Sequence, residues 1–186
     1  MKFIATELPG LLIFEPNVIA DDRGYFFESY NEKIFQQQGI AIRFVQDNQS
    51  SSSYGVIRGL HYQLNPFAQS KLIRVLSGKI LDVAVDLRKG SPTYGHHFDI
   101  ELSAENKKQL LVPKGFAHGF SVISERAEVL YKCDEFYNKK SEAGIRFDDP
   151  ALNINWEIPS ENTIISAKDQ LLPGLASCET NFIFEG

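Results

Sequence analysis

Only two cysteines, one tryptophan and one methionine occur among the 186 residues. Cys133 and Cys178 fit neither a disulfide-stapled scaffold nor a paired-cysteine zinc site, so reduced thiols in an intracellular setting are expected. Long apolar runs are lacking too: none approaches the roughly 18 residues of a membrane helix. The opening stretch from Met1 to Phe14 is broken by Glu7, Pro9 and Gly10, with no small-residue cleavage pattern behind it. Cytoplasmic residence without membrane association is therefore expected. A basic excess is also missing, since the net charge is -5 and the pI near 5.4. Broad nucleic-acid binding needs clustered Lys and Arg to displace counterions, so no nucleic-acid partner is expected, and any cations that meet phosphate are few and local. Repeats, low-complexity tracts and a linker are absent, which leaves residues 1–186 as one domain. A domain of this size buries about 70% of its unfolded surface, so it needs no disulfide or structural metal.

The dominant signal is short runs of period-two alternation. From Lys79 to Leu87, Leu81, Val83, Val85 and Leu87 share one face and Asp82 and Asp86 the other, the pattern of a half-buried strand. After the turn-forming Gly90, Ser91 and Pro92, Phe98, Ile100 and Leu102 alternate with His97, Asp99 and Glu101. Further strands are expected at residues 56–63, 71–76, 110–112, 119–123 and 128–137. One helix is expected over residues 31–38, capped by Asn31 or Ser29 and ended by Gly39. Many strands with few short helices indicate an all-β sandwich or barrel, with the Pro- and Asn-rich segment from Asp148 onward wrapping it as loops.

Four histidines carry most of the candidate chemistry. His96 and His97 are adjacent, so on a strand they point to opposite faces and read as edge residues. His61 lies among apolar and small neighbours in Arg58-Gly59-Leu60-His61-Tyr62-Gln63. Strict alternation puts Arg58 and His61 on opposite faces, unless a bulge at Gly59 turns both inward. His118 lies between Pro113, Gly115 and Gly119, where a tight turn is expected, and there it either reaches a ligand or braces the loop. Lys71 shares a face with Ile73 and Val75, and Tyr131 one with Val129, Cys133 and Tyr137. A lysine on an apolar face either snorkels at the strand end or meets an anion, and a buried tyrosine hydroxyl finds a partner. With only His61 and His118 expected inside, the donors are too few for a three-histidine metal site. No glycine-rich dinucleotide fingerprint is present.

The ordered segments DDRGYFFES, FVQDNQSSS, GVIRGLHYQ, KLIRVLSG, DVAVDLRKGSPTYG, LVPKGFAHGF, EVLYKC and SAKD run through nearly the whole chain. In them it resembles the dTDP-4-dehydrorhamnose 3,5-epimerases, jelly-roll enzymes of the cupin superfamily. The resemblance implies a double-stranded β-helix barrel and epimerisation of a dTDP-4-keto-6-deoxysugar at C3 and C5, toward dTDP-4-dehydro-L-rhamnose; the missing ligand set and dinucleotide loop predict that it proceeds without metal or other cofactor. It implies His61 as base, Asp169 as its carboxylate partner, Tyr131 as acid on the opposite face of the sugar, and Lys71 near the ketone oxygen. Arg23, Glu28, Gln46, Asp47, Asn48, Arg58, His118, Glu142 and Lys168 match positions that hold the sugar nucleotide, and Tyr137 one that stacks on thymine. A homodimer that exchanges an N-terminal strand is implied as well. Asn138-Lys139-Lys140-Ser141 replaces a usual proline after Tyr137, and Arg146-Phe147-Asp148 a commoner pattern with Trp and Asn, which bears on nucleotide preference more than on chemistry. A single-site epimerase, a non-catalytic sugar-nucleotide-binding barrel and, disfavoured by the histidine count, a metal-dependent oxygenase are the competing readings.

Such residue types suit the reaction. A hydrogen beside a ketone becomes removable when the developing enolate oxygen meets fixed positive charge, which Lys71 supplies. Histidine titrates near working pH, and a carboxylate on its other nitrogen fixes the tautomer and supports the imidazolium.

Overall fold

The computed structural model describes residues 1–186. Strands β1 (Lys2–Ala5), β2 (Leu12–Glu15), β10 (Gln109–Val112), β7 (Lys71–Ser77), β12 (Arg126–Cys133) and β5 (Gln46–Ser53) form, in that spatial order, one antiparallel sheet. A second contains β13 (Glu142–Gly144), β6 (Ile57–Gln63), β11 (Phe116–Val122), β8 (Lys79–Asp86) and β9 (His97–Ser103). A separate ribbon pairs β3 (Ile19–Asp21) with β4 (Gly24–Phe26). The helices are short: α1 (Glu32–Gln37) and α2 (Ala167–Gln170). The fold is thus the all-β jelly roll expected.

Three apolar clusters hold it together. Between the sheets lie Leu11, Ile73, Ile80, Ala84, Leu110, Phe120 and Val129. Outside the five-stranded sheet, Leu81, Val83 and Val85 pack under the C-terminal wrap through Ile145, Leu152, Trp156 and Phe182. Outside the six-stranded sheet, α1 buries Phe35 against Phe14, Leu72 and Leu111. Each buried Val, Leu, Ile or Phe side chain among them contributes roughly 1.5–3 kcal/mol on leaving water.

β8 therefore differs from the half-buried strand expected: both of its faces are buried, and Asp82 and Asp86 are fully enclosed. The carboxylates are tolerated because each is partnered, Asp86 by Arg88, Ser91 and Thr93, and Asp82 by His118. β11 also departs from expectation. It begins at Phe116, so His118 is a strand residue, and the turn is confined to Pro113–Gly115, where Gly115 adopts φ 92°. β12 ends at Cys133, which leaves Tyr137 outside the strand and exposed. β5, whose sequence is entirely polar, was not among the expected strands. Helix α1 lies one residue inside its expected bounds, with the Asn31 side chain accepting from the Lys33 and Ile34 amides.

Candidate active site

His61 and Arg58 face the barrel interior together because β6 carries a bulge. In the pairing with β11, His61 lies opposite His118 and Arg58 opposite Phe120, so two residues, Gly59 and Leu60, oppose Gly119 alone. The bulge requires its glycines. Gly59 adopts φ 126°, and a Cβ there would stand 2.5 Å from the Gly119 Cα, while one on Gly119 would stand 2.7 Å from the Arg58 carbonyl oxygen.

The interior opens into two chambers of about 510 and about 390 Å³ that share His61, Lys71 and Tyr131. Arg58, His118, Lys168 and Asp169 line the first. Gln46, Asn48, Tyr137 and Glu142 line the second. Lys71 and Tyr131 meet through strand register, with Cys133 opposite Lys71 and Tyr131 opposite Ile73 in the β7–β12 pair. The Lys71 Nζ lies 5.9 Å from the Tyr131 ring centroid and 3.5 Å from the His61 carbonyl oxygen, with no carboxylate paired to it.

His61 Nε2 lies 2.7 Å from Asp169 Oδ1. Helix α2 places that carboxylate: Ser166 caps the helix by accepting from the Asp169 amide at 3.1 Å. Burial alone would push the Asp169 carboxyl up, but the hydrogen bond and charge of His61, with help from the Gly59 amide and Ser166, outweigh it and hold the carboxyl below the usual range. With Asp169 ionised, Nε2 donates to it and Nδ1 is the nitrogen left free to take a proton. Burial pushes the Tyr131 phenol up despite the opposing charge of Arg58, so the group holds its proton at neutral pH. Burial lowers Lys71, and nearby Cys133, Asp82 and Glu142 only partly offset it.

Above the shared residues, Tyr137 donates to Glu142 at 3.0 Å and Lys168 pairs with the same carboxylate, bridging the mouths of the chambers. At the floor, His118 Nε2 lies 2.8 Å from Asp82 Oδ1. Asp82 was expected on an outer face; parity with Ile80 and Ala84 alone, with all three read as interior, would have found it.

Three expected residues are elsewhere. The Asp47 side chain points out of the barrel and pairs with Lys132 at 3.0 Å, because β5 alternates and Gln46 and Asn48 take the inward positions. Arg23 is 90% exposed and paired only with Asp21, and Glu28 accepts from Asn31. Neither lines a chamber with His61 in this chain. His96 and His97 lie outside the site, as expected. No three His, Cys, Asp or Glu side chains are grouped to hold a metal.

A family model described as dTDP-4-dehydrorhamnose 3,5-epimerase matches residues 5–177. The chain belongs to that family. Among epimerase relatives, the dTDP-4-dehydrorhamnose 3,5-epimerase of Shigella flexneri is 54% identical over 91% of this chain and 93% of its own. The structure is also similar to that of the Legionella pneumophila epimerase in complex with dTDP-4-keto-L-rhamnose, with TM-score 0.91, 46% identity and 95% and 93% of the two chains covered. A 3'-monoepimerase from Streptomyces bikiniensis, in complex with dTDP-quinovose, is similar at 29% identity and TM-score 0.86 over 94% and 88% of the chains.

Proposed function

We propose that this chain, acting as one jelly-roll domain, epimerises dTDP-4-keto-6-deoxyglucose at C3 and C5 to dTDP-4-dehydro-L-rhamnose. The observation that carries the reading is the His61–Asp169 pair sharing a cleft with Tyr131 and an unpaired Lys71 ammonium. His61 Nδ1 takes the proton from a carbon beside the ketone, C3 or C5, and the electron pair of the broken C–H bond moves into an enolate whose oxygen faces Lys71. Asp169 supports the imidazolium that forms. The Tyr131 hydroxyl then delivers a proton to the other face of the carbon, inverting it, and solvent restores both groups before the same steps act on the second carbon. Electrons are conserved, since the ketone returns at the end. In this reading Gln46, Asn48, Arg58, His118, Glu142 and Lys168, which line the chambers, hold the sugar and diphosphate, and the exposed Tyr137 stacks on the base.

Incubation with the 4-keto-6-deoxysugar nucleotide in heavy water tests the reading. Two carbon-bound deuterons in an inverted product are expected by mass and proton NMR. One deuteron would indicate a single-site epimerase, a reading favoured by the likeness to the 3'-monoepimerase, and none would indicate a binding module.

The partner is proposed to be a second copy of this chain. The β3–β4 ribbon exposes Ile19, Tyr25 and Phe26 at 59%, 62% and 67%, and it carries Arg23 away from its own cleft. Arg23 and Glu28 then serve the neighbouring subunit. Dimers that mix an Arg23→Ala chain with a His61→Asn chain are expected to recover one working site, because the intact His61 receives Arg23 from the other subunit. Monomers in sedimentation, or no recovery, would defeat this arrangement. The two unpaired cysteines support cytoplasmic residence, and no helix is long and apolar enough to cross a membrane.

A further inference from the structure

Arg58 is held from behind by a residue with no assigned part in binding. Its Nε donates to the Ser52 Oγ at 3.0 Å, and Ser52 is 7% exposed on the inward face of β5. That bond crosses from one sheet to the other at the corner where β5 turns into β6. The corner is clamped: Ile57 N and Ile164 N bond to Ile164 O and Gly55 O at 3.0 and 2.8 Å. Gly55 lies so close to the C-terminal segment that a Cβ on it would meet the Asn162 carbonyl oxygen at 2.1 Å. Ser52 is therefore a fixed acceptor rather than a mobile one. With Nε occupied, both terminal nitrogens of Arg58 lack a protein partner, and the residue lines the larger chamber.

We propose that Ser52 is a positioning residue for the diphosphate: it fixes the Arg58 guanidinium so that its two terminal nitrogens face the anion as a preformed fork. An unanchored arginine samples many rotamers and loses them on binding, whereas one already held at Nε loses fewer. A planar fork also matches two phosphate oxygens at once, which makes its orientation worth fixing. Ser52 acts through Arg58 and touches no substrate. The inference rests on the sugar-nucleotide reading above, and dTDP alone serves as the probe so that catalysis is not required.

Calorimetric titration of dTDP into the wild-type protein, Ser52→Ala, Arg58→Met and the double variant forms a thermodynamic cycle. Ser52→Ala is expected to weaken dTDP by about fivefold to tenfold, the scale of one hydrogen bond's net effect. In the Arg58→Met background the same change is expected to have no further effect. For turnover, Ser52→Ala should raise KM more than it lowers kcat, and Ser52→Thr, which keeps the hydroxyl, should restore affinity. An unchanged affinity in Ser52→Ala, or losses that add in the double variant, would overturn the inference. A measurement that needs no Ser52 variant is the exchange rate of the Arg58 Nε proton in the wild-type protein, assigned by its loss in Arg58→Met. Slowed exchange is expected, and exchange at the rate of a free arginine would equally overturn it. Failure of the wild-type protein to bind dTDP would instead count against the sugar-nucleotide reading, while the Nε exchange would still report on the Ser52 anchor.

Discussion

His61→Asn is expected to abolish both product formation and solvent exchange at C3 and C5, with a loss of about 100- to 10,000-fold, the usual cost of removing a general base. Asparagine can still bond to Asp169, 2.7 Å from the native Nε2, so the wall of the cleft should persist while its proton acceptor vanishes. Tyr131→Phe should differ in kind. The ring and its packing stay and only the hydroxyl is lost, so His61 still removes protons but nothing returns one from the opposite face. Deuterium should then enter with retention faster than inversion occurs. Proton NMR in heavy water separates the two. Residual exchange in His61→Asn, or inversion at both carbons at the wild-type rate in Tyr131→Phe, would show that the proposed roles are wrong even though the family is right. Binding of dTDP should survive in both, because Arg58 and its Ser52 anchor are untouched.

Much of this arrangement was legible from strand parity. Lys71 with Ile73 and Val75, and Tyr131 with Val129 and Cys133, share interior faces as alternation requires, and the β7–β12 register then brings the pair together. Parity fails where the backbone departs from it. Arg58 and His61 lie three residues apart, and only the bulge across from Gly119 turns both inward; the glycine marked the place without establishing the geometry. Hydrophobic alternation is also blind to a strand without apolar residues. Gln46 to Ser53 forms β5 because its inward polar groups face a cleft and its backbone pairs with β12 across eight registered positions.

Buried charge misled in the opposite direction. Alternation puts Asp82 and Asp86 on the open face of a half-buried strand, yet partners supplied from β11 and from the loop after β8 make their enclosure tolerable. Such partners are distant in sequence, so no local pattern announces them. The same limit applies to Arg23 and Glu28, for which the resemblance implies a part in binding that no local pattern locates in space. Neither reaches the cleft of its own chain.

Lys71→Met is expected to lower kcat by about 100- to 1,000-fold, the range for losing one donor at a developing oxyanion, and at the same time to stabilise the fold. Both effects have one cause. The Lys71 ammonium is packed beside the Tyr131 ring with no carboxylate bonded to it, and burial lowers its affinity for the proton below that of an ordinary lysine. A group whose folded pKa lies below its unfolded pKa binds protons less well in the folded state, so wild-type stability rises with pH between those two values. Methionine has a similar length and carries no charge, so the variant should lose that rise and should be more stable than wild type near neutral pH, by roughly 0.5–2 kcal/mol as other relieved functional sites are. Denaturant midpoints measured across pH test the linkage. The same lowered proton affinity implies that wild-type kcat falls on the alkaline side at a lower pH than an ordinary lysine would allow, because the enolate oxygen needs the charged form. A Lys71→Met protein that is both less stable and nearly fully active would show that the ammonium is held by the fold for structure, not poised for the ketone.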